Sequence, residues 1–588
     1  MATENIPYKI PENETTVFYP PIGDAPELTR DNMREIQHYA FKLIDIPFQT
    51  LRNETRLELL NTATQYTKKI LSFLPHEFRE TTSHTVNNSG KNAAEQLYES
   101  FLPVESKISH CHCPESIPII FTGHEPIFYH PGIWIKNHLA YHLAERLKGI
   151  SINLIVDSDS CTAGFMYVPC LSKESASIQK VSFVEGKETQ AYEEISFEKI
   201  EVIEHFKDKV DALLRKNNHD DVKNTVKNMQ IMFDCFIHQM RHAYLQGCRD
   251  MTRLFTSARK GMENACGIKN LEIPVSLMCN TKGFYSFFLH ILYNAKQFAE
   301  IHNEKLNDYR NTHAISSKAN PVPDLEIHDT LVELPFWVWE KGGARNKCYA
   351  RYDAGSIIIT NGNQMEWALK SDEDPQKIIS RLRSLESQPS HTIKLRPRAI
   401  TLTMFSRLFV SDVFIHGTGG SRYDVITNGI MKDFFHIDPP KYITTTTTLF
   451  LPVKTQDIDA KTFPALQKEL NDMRTNPERH ASGKTRQHPV FLKMVEEKRA
   501  LIERMRGSDK EKRSQLFHQI KELNASMFKQ ITNEFGNRQK KLAAIKEKMV
   551  YNEVVKCREY PIGIFPFNTL NDHFANVFSE SKNKDKQS

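Results

Sequence analysis

Side chains that can transfer protons or stabilise charge are grouped after one short apolar run. His124, Glu125 and His130 lie there, directly after Thr122-Gly123. A glycine that follows a buried strand lets a ligand approach the backbone, and the N–H groups at the start of a following helix attract phosphate. We therefore expect catalytic roles for the two histidines and Glu125, with Thr122 and Gly123 binding a cofactor. The alternative is an ordinary strand–helix turn that carries a surface histidine.

Two carboxylates two positions apart form a second candidate group. Asp157 and Asp159 flank Ser158, directly after an apolar run that ends at Val156. At the end of a parallel strand, such a pair can hold a ribose, an amine or a metal ion with its waters. Both aspartates are therefore candidate catalytic residues. The alternative is capping of the segment that follows, because Asp and Ser are good capping residues.

A glycine-rich turn is the third candidate and is expected to bind a cofactor. It comprises Gly417, Thr418, Gly419 and Gly420, and Arg422 follows two residues later. The turn matches neither GxGxxG nor a Walker A loop, which would end in Gly-Lys-Ser/Thr. Exposed N–H groups and Arg422 could nevertheless pair with a phosphate or carboxylate. The alternative is a plain tight turn with a solvated arginine.

The first two groups follow the strands of a predicted βαβ unit. The apolar run Ile119–Phe121 predicts a buried strand, and Ile135, Leu139, Leu143 and Leu147 form one stripe of a helix that opens at Pro131-Gly132. Gly149 is expected to end that helix as its C′ residue, before a second strand over 150–156. Such units place ligands at the carboxyl ends of their strands, where both groups lie.

The glycine turn belongs to a second unit of the same kind. The pattern predicts a helix over 399–409, a strand over 412–416 that leads into the turn, a helix over 423–435 and a strand over 442–451. We therefore expect His124, His130, Asp157 and Arg422 to converge between the two units.

The chain is expected to be an α/β protein, and it is too long to fold around one ordinary hydrophobic core, so we expect several structural regions. Residues 506–509 break the charged, helical arm in two, which favours a hairpin or coiled coil. The aromatic group Phe336, Trp337 and Trp339 is expected to be the core of a small β subdomain. The predicted divisions are 1–117 (N-terminal arm and helices), 118–168 (first half of the core), 169–320 (helical insertion), 321–390 (small β subdomain), 391–455 (second half of the core), 456–555 (coiled-coil arm) and 556–588 (C-terminal return and tail).

Composition excludes several functional classes. The net charge is +5 from 77 basic and 72 acidic residues, which is too mild to indicate nucleic-acid binding. No apolar run is long enough for a membrane span, and the N-terminus has no secretory pattern. The 10 cysteines follow no disulfide framework, so we expect a cytoplasmic protein. Cys111-His112-Cys113 is too closely spaced for typical structural zinc, and we expect no metal site.

Two resemblances suggest what these groups could do. His130-Pro131-Gly132-Ile133 is similar to the HxGH signature of nucleotidylyltransferases, with isoleucine in place of the last histidine. Across most of residues 118–566 the chain resembles the bacillithiol synthase family, the cysteine-adding ligases of bacillithiol biosynthesis, as a divergent relative. The second resemblance rests on Thr122-Gly123 and the helix with Lys136, the cluster Asp157–Asp159, Leu395-Arg396-Pro397, the turn at Gly417, the helical arm and the ending Arg558–Pro566.

That family resemblance implies a Rossmann-like parallel-sheet core and a coiled-coil arm that pairs two subunits. It implies a ligase that binds a nucleotide or sugar-linked ligand, with an adenine nucleotide as the candidate cofactor, and joins an amino acid such as cysteine to a small acid. The chain departs from the family at His124-Glu125, Asp157–Ser160 and Gly417–Gly420. The alternatives are a non-catalytic dimerising module of the same fold and a nucleotidyltransferase that uses His130.

Overall fold

The computed structural model describes residues 10–75, 116–172, 175–217, 222–353, 355–363, 365–370, 372–387, 393–459 and 461–584. Cys111 and Cys113 lie outside these ranges. The described part of the chain is a mixed α/β structure. Its strands are β1 (Thr15–Tyr19), β2 (Lys42–Leu43), β3 (Ile46–Pro47), β4 (Ile119–His124), β5 (Ile150–Ile155), β6 (Phe165–Leu171), β7 (Ala176–Ser182), β8 (Leu271–Pro274), β9 (Leu331–Glu340), β10 (Asn346–Asp353), β11 (Ser356–Thr360), β12 (Glu366–Lys370), β13 (Ile393–Pro397), β14 (Val413–His416) and β15 (Tyr442–Thr448).

Helices surround these strands. None of those in the described ranges is both long and apolar enough to cross a membrane. A π-helical turn, Ser406–Val410, continues one of them. The helices span Ala25–Gln37, Phe48–Ser72, Pro131–Leu147, Glu201–Arg215, Lys223–Leu245, Met251–Ala265, Val275–Met278, Lys282–Tyr293, Ala295–Thr312, Pro375–Ser387, Ala399–Phe405, Thr418–Phe435, Thr462–Thr475, Gly483–Gln487, Pro489–Arg506, Lys510–Gln530, Thr532–Val555 and Phe567–Lys584.

A six-stranded sheet carries the predicted groups. Its order is β1-β15-β14-β4-β5-β8, with parallel pairing except between β1 and β15. Read from the β8 edge, the five parallel strands follow the order β8, β5, β4, β14 and β15. Numbered by their place in the chain, this order is 3-2-1-4-5. The order reverses between β4 and β14, so the segments that leave these two strands diverge and open a crevice at their carboxyl ends.

Side chains of the central strands alternate between two apolar cores. On β4, Ile119 and Phe121 belong to one core and Ile120 to the other. On β14, Phe414 belongs to the first core, while Val413 and Ile415 belong to the second. Both faces of the sheet are thus buried, as expected for continuous apolar strands in a parallel arrangement.

The predicted βαβ unit is present, with two local differences. The strand β4 continues through His124, because backbone pairing to β5 extends to His124 opposite Ile155. The helix Pro131–Leu147 ends with Lys148 in the left-handed conformation at φ 53°, so the left-handed residue that ends the helix is Lys148 and not the predicted Gly149. Gly149 is needed for another reason: a Cβ there would lie 2.4 Å from the Pro118 carbonyl oxygen.

The segment predicted to be a helical insertion also contributes strands. Its helices are interrupted by β8, which pairs with β5 in the main sheet, while the hairpin of β6 and β7 lies at its start. The strand β8 has only four residues, and a run this short cannot be distinguished from a helix by its periodicity. The Pro-rich N-terminal region likewise includes β1, an edge strand, where an extended arm was expected.

A five-stranded antiparallel sheet covers the crevice from one side. Its order is β12-β11-β10-β9-β13, and β13 comes from residues expected to belong to the second half of the core. Arg396 on β13 is fully buried and pairs with Glu193 at 2.8 Å and Glu386 at 2.7 Å. These charge-assisted bonds join the smaller sheet to the segment that follows β7 and to the helix Pro375–Ser387.

The region predicted as a hairpin or coiled-coil arm contains more helices than a hairpin. Helix ends at Arg506 and Gln530 divide it, and the first agrees with the predicted break at 506–509. Met473, Phe491 and Met527 from three of its helices share a small apolar core.

Candidate functional site

A cavity of about 430 Å³ lies at the crevice between β4 and β14. Leu154, Phe414 and Ile400 contribute apolar surface to it. Polar groups reach it from the ends of three strands and from the smaller sheet. A concave, mostly apolar site with a few convergent polar groups is the usual form of a small-molecule site.

Glu125 and His124 come from the end of β4 and line this cavity. The Glu125 carboxylate accepts a hydrogen bond from the Tyr192 hydroxyl at 3.2 Å. Burial, followed by the charge of Asp159, raises the pKa of Glu125 to about 7. Burial also holds the pKa of His124 well below its usual range, so its ring is neutral at pH 7. Glu125 can therefore take up or release a proton near neutral pH, whereas His124 stays neutral.

Asp159, after β5, is joined to a tryptophan flanked by two arginines on the smaller sheet. Arg345 contacts Asp159 at 2.8 Å and stacks 4.8 Å from the centre of the Trp337 ring. Arg398 lies 4.3 Å from the same ring and pairs with Glu333 at 2.7 Å. The Nε atoms of both arginines are buried and have no hydrogen-bond partner within the described ranges. Arg345 also donates to the Ser158 carbonyl at 2.9 Å and the Ser160 hydroxyl at 2.6 Å, so most of the unused donors beside the ring belong to Arg398.

His416, at the end of β14, is held in one orientation. Its Nε2 lies 2.6 Å from Asp424, which also pairs with Arg407 at 3.0 Å and accepts a bond from Thr403 at 2.8 Å. These partners keep the pKa of Asp424 well below its usual value despite its burial. A carboxylate on one ring nitrogen orients the ring and leaves the other nitrogen for chemistry.

The expected glycine turn is the first turn of the helix Thr418–Phe435, which begins five residues earlier than predicted. Gly417 is its N-cap residue in an extended conformation, and Gly420 lines the cavity. Thr418 is half-buried and Gly419 exposed beside it. The Arg422 side chain is exposed and is not part of the cavity wall. The backbone of this turn, and not the arginine, therefore meets the cavity.

Of the four residues expected to converge, only His124 lines the cavity. The ring of His130 caps the helix that follows it, with Nδ1 accepting a bond from the Gly132 amide at 3.1 Å. The buried carboxylate of Asp157 accepts bonds from the Ser276 amide at 3.0 Å and hydroxyl at 2.5 Å. The hydroxyl of Thr122 is also buried and donates to the Ile415 carbonyl at 2.9 Å, joining β4 to β14. His130 thus lies in a strand–helix turn, as in the alternative interpretation, but its ring is half-buried and caps the helix instead of facing solvent. Asp157 bonds to Ser276 and does not cap the segment directly after it, so the capping alternative for Asp157 is not what the structure shows.

Asp157→Asn is expected to flatten the pH dependence of stability while ligand binding is retained. Burial, and then the charge of Glu193, raises the pKa of Asp157 to about 7. The contribution of this group to the free energy of unfolding is fully present below its unfolded pKa of about 4. It is lost as the pH rises through its folded pKa of about 7. An asparagine needs no proton, so thermal unfolding of the variant should change less than that of the wild type between pH 5 and 8. An unchanged pH profile would contradict this role.

Gly420→Ala is expected to lower the free energy of unfolding by about 1–3 kcal/mol, a typical cost of overpacking. A Cβ at Gly420 would lie 2.8 Å from Nδ1 of His416, so the ring held by Asp424 must move. Gly419→Ala is the matched control in the same turn, because a Cβ there meets nothing within 4 Å. Denaturant unfolding of the two variants checks the difference. Equal stability would show that His416 does not need this close approach.

Several cavity residues were not identified from sequence. Trp337 was assigned to the β core, whereas Phe336 and Trp339 beside it are indeed buried. Arg345 lies after a Gly-Gly turn and directly before β10, and Arg398 directly follows β13, but neither position has a recognisable motif. His416 immediately precedes the glycine turn, and Asp424 lies two helical turns further on, a spacing that could have suggested the pair.

Within the described ranges, no group of three or more His, Cys, Asp or Glu side chains could hold a metal ion. The cavity is instead defined by the carboxyl groups of Glu125 and Asp159, three histidines (His124, His302 and His416), two arginines and the start of a helix. Neither the family models nor the curated proteins that were searched include a match to this chain.

Proposed function

We propose that this cavity binds a small anionic ligand, nucleotide or sugar-linked, and that the protein is a ligase-type enzyme similar to bacillithiol synthase. The observation that carries the proposal is convergence: Glu125 after β4, Asp159 after β5 and Gly420 after β14 line one cavity. They do so at the reversal point of the strand order, where open α/β sheets bind ligands.

The strand order also supports a Rossmann-like core for this proposal. The parallel strands have the order 3-2-1-4-5, which is also the order of the first five strands in doubly wound dinucleotide-binding sheets. Fold analogy alone says little about chemistry. The chemical part of the proposal therefore rests on the side chains in the cavity.

Amide formation needs an amine that has lost its proton and an acid whose carboxylate oxygen has been converted into a leaving group. In the proposed reaction ATP supplies a phosphoryl or adenylyl group to that oxygen, and phosphate or AMP departs as the C–N bond forms. In the proposed reaction, Glu125 takes the proton of the attacking amino acid, because its pKa of about 7 suits proton transfer at neutral pH. Arg345 and Arg398 hold the carboxylate of the small acid. His416, oriented by Asp424, is placed to exchange a second proton.

Ligand-dependent stabilisation tests the proposal. Nucleotides, amino acids and sugar-linked acids are added singly to the full-length protein, each at about 100 times a plausible Kd, and thermal unfolding is measured. A true ligand at this concentration stabilises the folded state by about 2.7 kcal/mol. Mass spectrometry of a mixture of cysteine, a sugar-linked acid and an adenine nucleotide then detects a joined product. The absence of any shift with all three classes would favour a non-catalytic module.

A second copy of the chain is the proposed partner, through the helical arm. Phe517, Val490 and Leu492 on the arm are large apolar side chains that are about half exposed or more. A second copy of the arm could bury these exposed side chains on association. Light scattering in solution tests the proposal, since a mass near 68.0 kDa, that of one chain, would refute it.

A further inference from the structure

A buried lysine lies in the crevice beside the cavity. Lys136 is only 4% exposed, and its Nζ donates to the Gly123 carbonyl at 2.6 Å. Gly123 is the residue after Thr122, the last position of β4 that pairs with β14. The ammonium therefore sits where the two strands separate.

This lysine has no carboxylate within salt-bridge distance. The acidic group that acts on its charge is Glu125, which makes no direct contact with Nζ, and the bond to Gly123 is the one hydrogen bond of Lys136 within the described ranges. Every other buried lysine in those ranges contacts a carboxylate, namely Lys260 with Glu263 and Lys498 with Glu478. Burial lowers the pKa of Lys136 to about 7, so an anion supplied from outside would stabilise its charged form.

The start of the helix Thr418–Phe435 faces the same crevice. A Cβ on Gly417, its N-cap, would lie 3.9 Å from Cδ of Lys136. The amide of Ser421 donates to the Gly417 carbonyl, whereas those of Thr418, Gly419 and Gly420 have no partner within the described ranges. Unpaired amides at the start of a helix attract negative charge.

We propose that Lys136 and the amides of Thr418, Gly419 and Gly420 form a subsite for a phosphoryl group of the ligand. The inference rests on the proposed function, since it assigns one part of the same ligand. Three amides and two unused N–H bonds of the ammonium supply five donors. A phosphoryl group offers three charged oxygens to receive them, one more than a carboxylate.

The subsite also gives the ligand a direction. Gly123 and Gly420, which adjoin Lys136 and the helix start, line the cavity together with Trp337. A phosphoryl group in the crevice therefore leaves the rest of the ligand in the cavity, with the planar ring of Trp337 available for a base or sugar.

Calorimetric titration of the full-length protein with ADP, and with adenosine as the matched probe without phosphate, tests this subsite. Wild type should bind ADP at least about 10-fold more tightly than adenosine. Lys136→Met should weaken ADP binding by about 10- to 100-fold, the value of a hydrogen bond to a charged group, and leave adenosine binding unchanged.

Thr418→Pro removes one amide donor at the first helical position, where proline is well tolerated and the preceding Gly417 is already extended. ADP affinity should fall about 3- to 10-fold, whereas Thr418→Ala, which keeps the amide, should bind as wild type. This pair decides the question even if Lys136→Met does not fold. Equal binding of ADP and adenosine, unaffected by either substitution, overturns the subsite alone. Failure of every nucleotide, amino acid and sugar-linked acid to bind overturns the proposed function as well.

Discussion

Replacing Arg398 by methionine is expected to weaken the binding of an anionic ligand by about 10- to 100-fold. The guanidinium stacks on Trp337, its Nε has no partner within the described ranges, and its contact with Glu333 leaves donors for a ligand. Hydrogen bonds to charged groups are worth about 1.5–3 kcal/mol each. Methionine keeps much of the packing volume and removes every donor.

Two further variants separate a direct contact from a general change of charge. Arg398→Lys keeps the charge but loses the planar fork, so its affinity should lie between wild type and the methionine variant. Arg351→Met, on the same sheet, removes an exposed arginine that pairs with Glu366 and should bind as wild type. Calorimetric titration with a sugar-linked acid, the ligand whose carboxylate Arg398 is proposed to hold, checks all three. Equal affinities of the Arg398→Met and Arg351→Met variants would contradict a ligand contact by Arg398.

Asp412→Asn is expected to lower the free energy of unfolding by about 3–5 kcal/mol, the cost of leaving buried charges without their partner. Asp412 lies at the start of β14 and contacts Arg52 at 2.7 Å and Arg56 at 3.0 Å, and all three side chains are buried. It also accepts a bond from the Ile119 amide at 2.7 Å. The group therefore joins the helix Phe48–Ser72 to both strands that flank the crevice.

Thermal and denaturant unfolding measure this effect. Glu503→Gln, which removes one side of an exposed pair with Arg506, is the control and should unfold as wild type. Adding Arg52→Met to Asp412→Asn removes one of the two stranded cations and should recover part of the loss. A loss below about 1 kcal/mol for Asp412→Asn would show that water or other groups compensate for the missing carboxylate.

The elements that could be predicted from sequence are those with a strong local signal. The stripe Ile135, Leu139 and Leu143 identified its helix, and the apolar runs at Ile119 and Ile150 identified β4 and β5. The strand β8 could not be recognised, because four residues are too few to establish a period. β1 was missed because the prolines around it indicated an extended arm, and pairing with β15 is a long-range property.

The candidate site divides in the same way. His124, Glu125 and Asp159 follow predicted strands, and general rules place such residues at the carboxyl edge of a sheet. Arg345 and Arg398 reach the cavity only because the smaller sheet folds over that edge, which no local pattern records. Asp157 lies two residues from Asp159 and was equally plausible from sequence. Its direction towards Ser276 is set by the chain that follows β8.

A crystal structure of the protein with ADP bound tests the central claim most directly. We predict electron density for the phosphates beside Lys136 and Thr418, with the remainder of the ligand in the cavity against Trp337. Density at another site, or an empty cavity in crystals of a protein that binds ADP in solution, would contradict it.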